Sequence, residues 1–68
     1  MVEIELNGLE EFLVNLGFEE ERKFHYSEFV EISKELVERM KGGLIGDFAV
    51  VRYFDDLGSL NYVLYIQN

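Results

Sequence analysis

The chain contains no cysteine and no proline, a single histidine, and six Lys and Arg against fourteen Asp and Glu. Without cysteine there is no disulfide, no thiolate nucleophile and no Cys-based zinc or iron–sulfur site, so stability has to come from packing or from partners. No Pro-rich or Ser-rich tract has the composition of a disordered linker, and the 49% hydrophobic and 15% aromatic fractions are those of a globular protein. The shortage of basic residues leaves a formal charge of −8. That charge repels phosphate backbones and anionic membrane surfaces, so direct nucleic-acid or membrane binding is not expected, and basic proteins become the favoured partners.

Long apolar runs are missing too. The longest uncharged apolar stretch, Tyr62 to Ile66, is far too short to span a bilayer. Met1-Val2-Glu3-Ile4-Glu5 lacks the basic start and continuous apolar core of a signal peptide. With no cysteine, these features make a cytoplasmic location the expectation, although absence of cysteine suits other compartments as well. At 68 residues the chain is one domain, near the lower size at which a single core is self-sufficient.

Within that frame the sequence reads as α+β. Val2, Ile4 and Leu6 alternate with Glu3, Glu5 and Asn7, the period of a half-buried strand. Asn7 then caps a short helix with Glu10 three residues on, Leu9, Phe12, Leu13 and Leu16 forming its stripe and Gly17 its stop. Residues 18–26 fit either an edge strand or a structured loop, since Glu19-Glu20-Glu21 looks solvated while Phe24 and Tyr26 alternate. A second helix over residues 28–41 follows, with Ser27 as its cap, Lys41 at its negative end and Gly42-Gly43 ending it.

Residues 48–55 and 59–67 read as a hairpin around Asp56-Leu57-Gly58, a three-residue loop suited to a type I turn and a glycine bulge. That register sets Phe54 against Leu60, Arg52 against Tyr62, Val50 against Leu64 and Phe48 against Ile66 on one face. The other face carries Val51 with Val63, Ala49 with Tyr65 and Tyr53 with Asn61. The expected architecture is two helices packed on one face of a three- or four-stranded sheet that ends in this C-terminal antiparallel hairpin, with water, a partner or residues 18–26 meeting the second face.

Two surfaces carry functional expectations. Glu28, Glu31, Glu35 and Glu38 recur at spacings of three, four and three, which at about 100° per residue confines them to an arc of about 80°. Phe29, Ser33, Leu36, Val37 and Met40 occupy the separate arc from about 80° to 180°, flanked by Val30 and Ile32. The plain reading of the stripe is a solvated helix face balanced by Lys34 with Glu38 and Glu35 with Arg39. The sharper reading is a row of carboxylates meeting lysines and arginines on a partner, crudely imitating a phosphate backbone, with Glu19, Glu20 and Glu21 enlarging the field. The second surface is the hairpin face of Ala49, Val51, Tyr53, Val63 and Tyr65, either buried or an interface for a partner or a homodimer.

Catalysis finds no support. His25 beside Ser27 reads as a polar contact, because local proximity of His and Ser in the sequence is not nucleophile–base geometry and no buried orienting acid is identifiable. Asp55, Asp56, Ser59 and Asn61 do not match a calcium-loop register, and Gly42, Gly43 and Gly46 follow a helix instead of opening one. No metal and no cofactor are expected. The leading expectation is a non-enzymatic acidic module that binds, and in its sharper form inhibits, a basic protein of the nucleic-acid-binding class. The alternative is a homodimeric or complex-forming accessory domain associating through the hairpin face.

Overall fold

The computed structural model describes residues 6–67, for Leu6 and Asn7 the backbone alone. In chain order it contains α1 (Leu6–Asn15), β1 (Glu19–His25), a 3₁₀ turn (Tyr26–Glu28), α2 (Phe29–Lys41), β2 (Asp47–Phe54) and β3 (Leu60–Gln67). Val2 and Ile4 of the expected first strand lie outside the described residues. Leu6, its third member, is already helical, so Asn7 sits inside α1 and does not cap it. The spacing Leu6, Leu9, Leu13 extends the helical period back past the predicted boundary.

Both helices stop by the same device. Gly17 (φ 91°) donates to Val14 O at 3.0 Å while Phe18 donates to Leu13 O at 2.9 Å; Gly43 (φ 73°) and Leu44 repeat the pattern onto Met40 O and Arg39 O. This paired closure needs a left-handed residue at the first position after the cap, which glycine supplies without a Cβ clash.

The three strands are antiparallel neighbours in the order β1-β3-β2. β1 and β2 therefore run parallel on either side of β3, and α2 is the crossover of a split β-α-β unit. The hairpin register is the one read from the turn, from Phe54 opposite Leu60 to Phe48 opposite Ile66. Asp55 closes the turn: its N–H donates to Ser59 O at 3.0 Å, its carbonyl accepts from Gly58, and its Oδ1 accepts from Leu57 N and Ser59 N. Residues 19–25 settle as an edge strand, kinked by an irregularity between Glu20 and Arg22, with only Phe24 fully buried.

The two helices do not share one face. Ile32 and Leu36 of α2, with Ile45, pack on Phe24 and Leu64, supported by Phe29, Phe48, Val50, Tyr62 and Ile66. Leu13 of α1, with Leu9 and Phe18, packs on Val51, Val63 and Tyr65 on the opposite side. The physical reason lies in the hairpin, whose two apolar faces each need covering; one helix per face leaves neither in water. Central β3 consequently buries Val63, Leu64 and Tyr65 in succession, the continuous apolar run of a strand covered on both sides. No described helix is long and apolar enough to cross a membrane.

Candidate functional site

Burial disposes of one candidate surface. Val51, Val63 and Tyr65 are 2%, 0% and 1% exposed, and Tyr53 packs half-buried against them. The cover is α1 together with Phe18, where the sequence suggested residues 18–26 as one choice and a partner as the other. Tyr65 pays for that position in its acidity: burial first, then the negative charges of Glu10 and Glu20, push its phenol above the ordinary tyrosine range.

The acidic stripe survives, but divided. α2 is entered from β1 through the 3₁₀ turn, which His25 caps: His25 Nδ1 accepts from Ser27 N at 3.3 Å, and Glu28 Oε2 reciprocally accepts from His25 N at 3.1 Å; the N-cap of α2 itself is Glu28, not Ser27, and makes no side-chain cap bond. Glu28 is thus part of a capping box. Glu35 is held by Arg22 of β1. Neither expected pair at i,i+4 forms. Arg39 reaches Glu21 instead, through Nη2–Oε1 at 2.6 Å and Nη1–Oε2 at 2.7 Å, a two-pronged contact. The Arg39 hydrogen bond, opposed by partial burial and helped by the charges of Arg39 and Arg22, holds the Glu21 carboxyl below the usual glutamate range and raises the Arg39 guanidinium in turn. Glu38 has only Lys41 at 3.9 Å, and Glu31 has no ion pair or hydrogen bond of its side chain among the described residues. Of the four predicted glutamates, Glu31 and Glu38 remain as outward carboxylates; Glu28 and Glu35 hold the fold together.

These ties accompany a definite rotation of α2. Glu35 and Arg39 face β1, so the buried line runs through Ile32 and Leu36, at 8% and 1% exposure. The predicted core arc centred near Ser33, Val37 and Met40 is turned outward: Val37 is 46% exposed, Met40 41% and Val30 62%. Here Phe29, Val30, Ser33, Lys34, Val37 and Glu38 line an open groove of about 490 Å³. Ser33 adds no free donor to it, because its Oγ donates to Phe29 O at 2.7 Å. The groove is therefore an apolar strip bordered on one flank by Lys34 and Glu38, with Glu31 outside its lining. Sequence reasoning placed Val37 and Met40 in the core with Val30 flanking it; the signal that they exceed it was the breadth of the apolar arc, wider than one sheet face can cover.

The remaining polar groups do structural work. Ser27 Oγ does approach His25 Nδ1, at 2.9 Å, because the chain curls at Tyr26 where an extended segment would have kept them apart. Both Ser27 groups converge on the same ring nitrogen, the geometry of a cap, and among the described residues no carboxylate hydrogen-bonds the other nitrogen. Asp55 Oδ2 accepts from Asn61 at 2.9 Å; the Ser59 N–H foremost, then the Leu57 N–H and Asn61, with a smaller contribution from the charge of His25, draw its carboxyl below the ordinary aspartate range against the effect of burial. Among the described residues no three His, Asp or Glu side chains converge as a metal site. No family model, curated protein or solved structure matches this chain.

Proposed function

We propose that this chain is a small non-enzymatic acidic module that binds a basic protein partner through the outer face of α2, and that its target class is nucleic-acid-binding proteins, which it inhibits by occupying their cationic surface. The observation that supports this reading is that α2 leaves Val30 and Val37 exposed beside Glu38, with Lys34 between, while the carboxylate of Glu31 stands unpaired among the described residues further round the same helix. Arg22 and Arg39 are already engaged by Glu35 and Glu21, so two of the six basic groups are spent inside the fold and the field sensed by a partner is dominated by acid. Carboxylates steer a cationic protein and set its register, and the apolar strip supplies area to bury once contact is made. The homodimer reading has lost its surface, since Val51, Val63 and Tyr65 lie beneath α1.

The test is capture from the native host with the wild-type chain and with Glu31→Lys/Glu38→Lys as baits, at low and high salt. Glu28 and Glu35 are left alone because replacing them would disturb the cap and the Arg22 contact. The wild-type chain should retain a basic protein at low salt that the variant releases. Equal retention by both baits removes the proposed function.

A further inference from the structure

With a single histidine and no cysteine, the chain has one side chain whose ordinary titration falls between about pH 5 and 8. The carboxyls of Glu21 and Asp55 and the phenol of Tyr65 are all displaced away from that range. That one histidine stands where β1 turns into α2, and it caps the 3₁₀ turn through a nitrogen that has to be unprotonated to do so. His25 Nδ1 accepts from Ser27 N at 3.3 Å, and its lone pair accepts only while no proton occupies it. The neutral ring therefore carries its proton on Nε2. Of the two bonds of the capping box, this one depends on the charge of the ring; the other, from His25 N to Glu28 Oε2, uses the backbone and does not.

The protonated ring has partners at hand. Ser27 Oγ lies 2.9 Å from Nδ1 and accepts from that nitrogen once it carries a proton. The carboxylates of Glu28 and of Asp55 in the hairpin turn, which feels the charge of His25, favour the imidazolium. Lys23, two residues earlier on the same side of β1, opposes it. Asn61, directly opposite on β3, is uncharged and already donates to Asp55 and to Ser59 O. The Tyr26 ring lies against the imidazole, centroids 4.3 Å apart.

We propose that His25 is a proton-operated cap: neutral, it closes the turn into α2 by accepting from Ser27 N; protonated, it releases that N–H, donates to Ser27 Oγ and leaves the junction to the bond between His25 N and Glu28. The proton adds to Nδ1 from solvent, since the ring is only half-buried, and no covalent bond breaks. The freed N–H lies two residues before Phe29, the first residue of α2, so the loosening is confined to the entry of that helix.

The test is a titration of the nitrogen-15-labelled chain from pH 8 to pH 5 by nuclear magnetic resonance, with His25→Asn for comparison, since asparagine is a capping acceptor that does not titrate. In the wild type the neutral ring should be the Nε2–H tautomer, and the Ser27 amide should move along the same curve as the ring protons. Hydrogen exchange of that amide, corrected for the intrinsic effect of pH, should rise about fivefold as the ring gains its proton. In His25→Asn the Ser27 amide should stay unmoved over the same range. A neutral ring with its proton on Nδ1, or a Ser27 amide indifferent to the titration of the ring, overturns the proposal, and both are read from the wild type without the variant. An equal response of the Ser27 amide in His25→Asn overturns it as well, because the titrating group would then lie elsewhere.

Discussion

Replacing Leu36 with alanine should come close to unfolding this protein, while the same truncation one residue further on should hardly register. Leu36 is 1% exposed and packs among Phe24, Ile32, Ile45 and Leu64, so its loss removes a buried isobutyl group and leaves a void that the small sheet cannot collapse around. Such truncations cost about 3 to 5 kcal/mol. A domain of this size has a total stability of roughly 3 to 10 kcal/mol, so Leu36→Ala should remove a third of it or more and lower the melting temperature by about 12 °C or beyond. Val37 is already 46% in water. Its truncation forfeits about 0.5 kcal/mol of burial and regains a similar amount from the better helix propensity of alanine, for a net change near zero. Met40→Ala, at 41% exposure, should stay within about 1 kcal/mol. Urea and thermal unfolding followed by far-ultraviolet circular dichroism measure all three. A loss above about 2 kcal/mol for Val37→Ala would refute the reasoning, since it would mean that the seam is covered within the chain and that no groove is open on α2.

Four further predictions concern the ion-paired, titrating and capping groups. Glu21 and Asp55 have carboxyls drawn below their ordinary values in the fold, so their stabilisation is complete above the unfolded-state values and is lost as pH falls through the folded ones; denaturant titrations should show stability declining below about pH 4, and Glu21→Gln should flatten part of that decline. A double-mutant cycle on Glu21 and Arg39 at neutral pH should return a coupling of up to about 1 kcal/mol that shrinks with added salt. Tyr65 shifts the other way, its phenol raised by burial and by Glu10 and Glu20, so its contribution is complete below about pH 10 and lost above it; Tyr65→Phe should remove an alkaline unfolding step seen by tyrosinate absorbance. His25→Ala removes the acceptor for Ser27 N and should cost about 1 kcal/mol in a thermal melt.

What was legible in the chain was what depends on neighbours in sequence. A three-residue connector, Asp56-Leu57-Gly58, is enough to pair eight residues of β2 with eight of β3 in the right register, because turn geometry dictates which residues stand opposite. Gly17 and Gly43 marked helix ends for the same local reason. β1 was obscure because an edge strand buries little: of Glu19–His25 only Phe24 reaches the core, and one buried residue makes no period. The rotation of α2 was hidden because its apolar arc is broader than the strip it buries, and the strip chosen rests on the packing of Ile32 and Leu36 and on ion pairs spanning 13 and 18 residues, all of them distant in sequence. The acidic stripe was visible; that Arg22 would occupy Glu35 was not, since this partner arrives only when β1 lies beside α2, and Glu28 is taken by the His25 backbone through a local turn at Tyr26 that the helical period does not signal. The side of the sheet taken by α1 was likewise beyond the reach of periodicity, which says that Leu9 and Leu13 want burial but not on which face.

The most direct test of the account is an amide map of the nitrogen-15-labelled chain titrated with a basic protein that it captures at low salt. Shifts concentrated on residues 29–40, strongest around Val30 and Val37 and absent in Val30→Ser/Val37→Ser, are the predicted result. Shifts centred on α1 or spread along the strands, with residues 29–40 unmoved, would contradict the claim that the outer face of α2 is where this protein meets its partner.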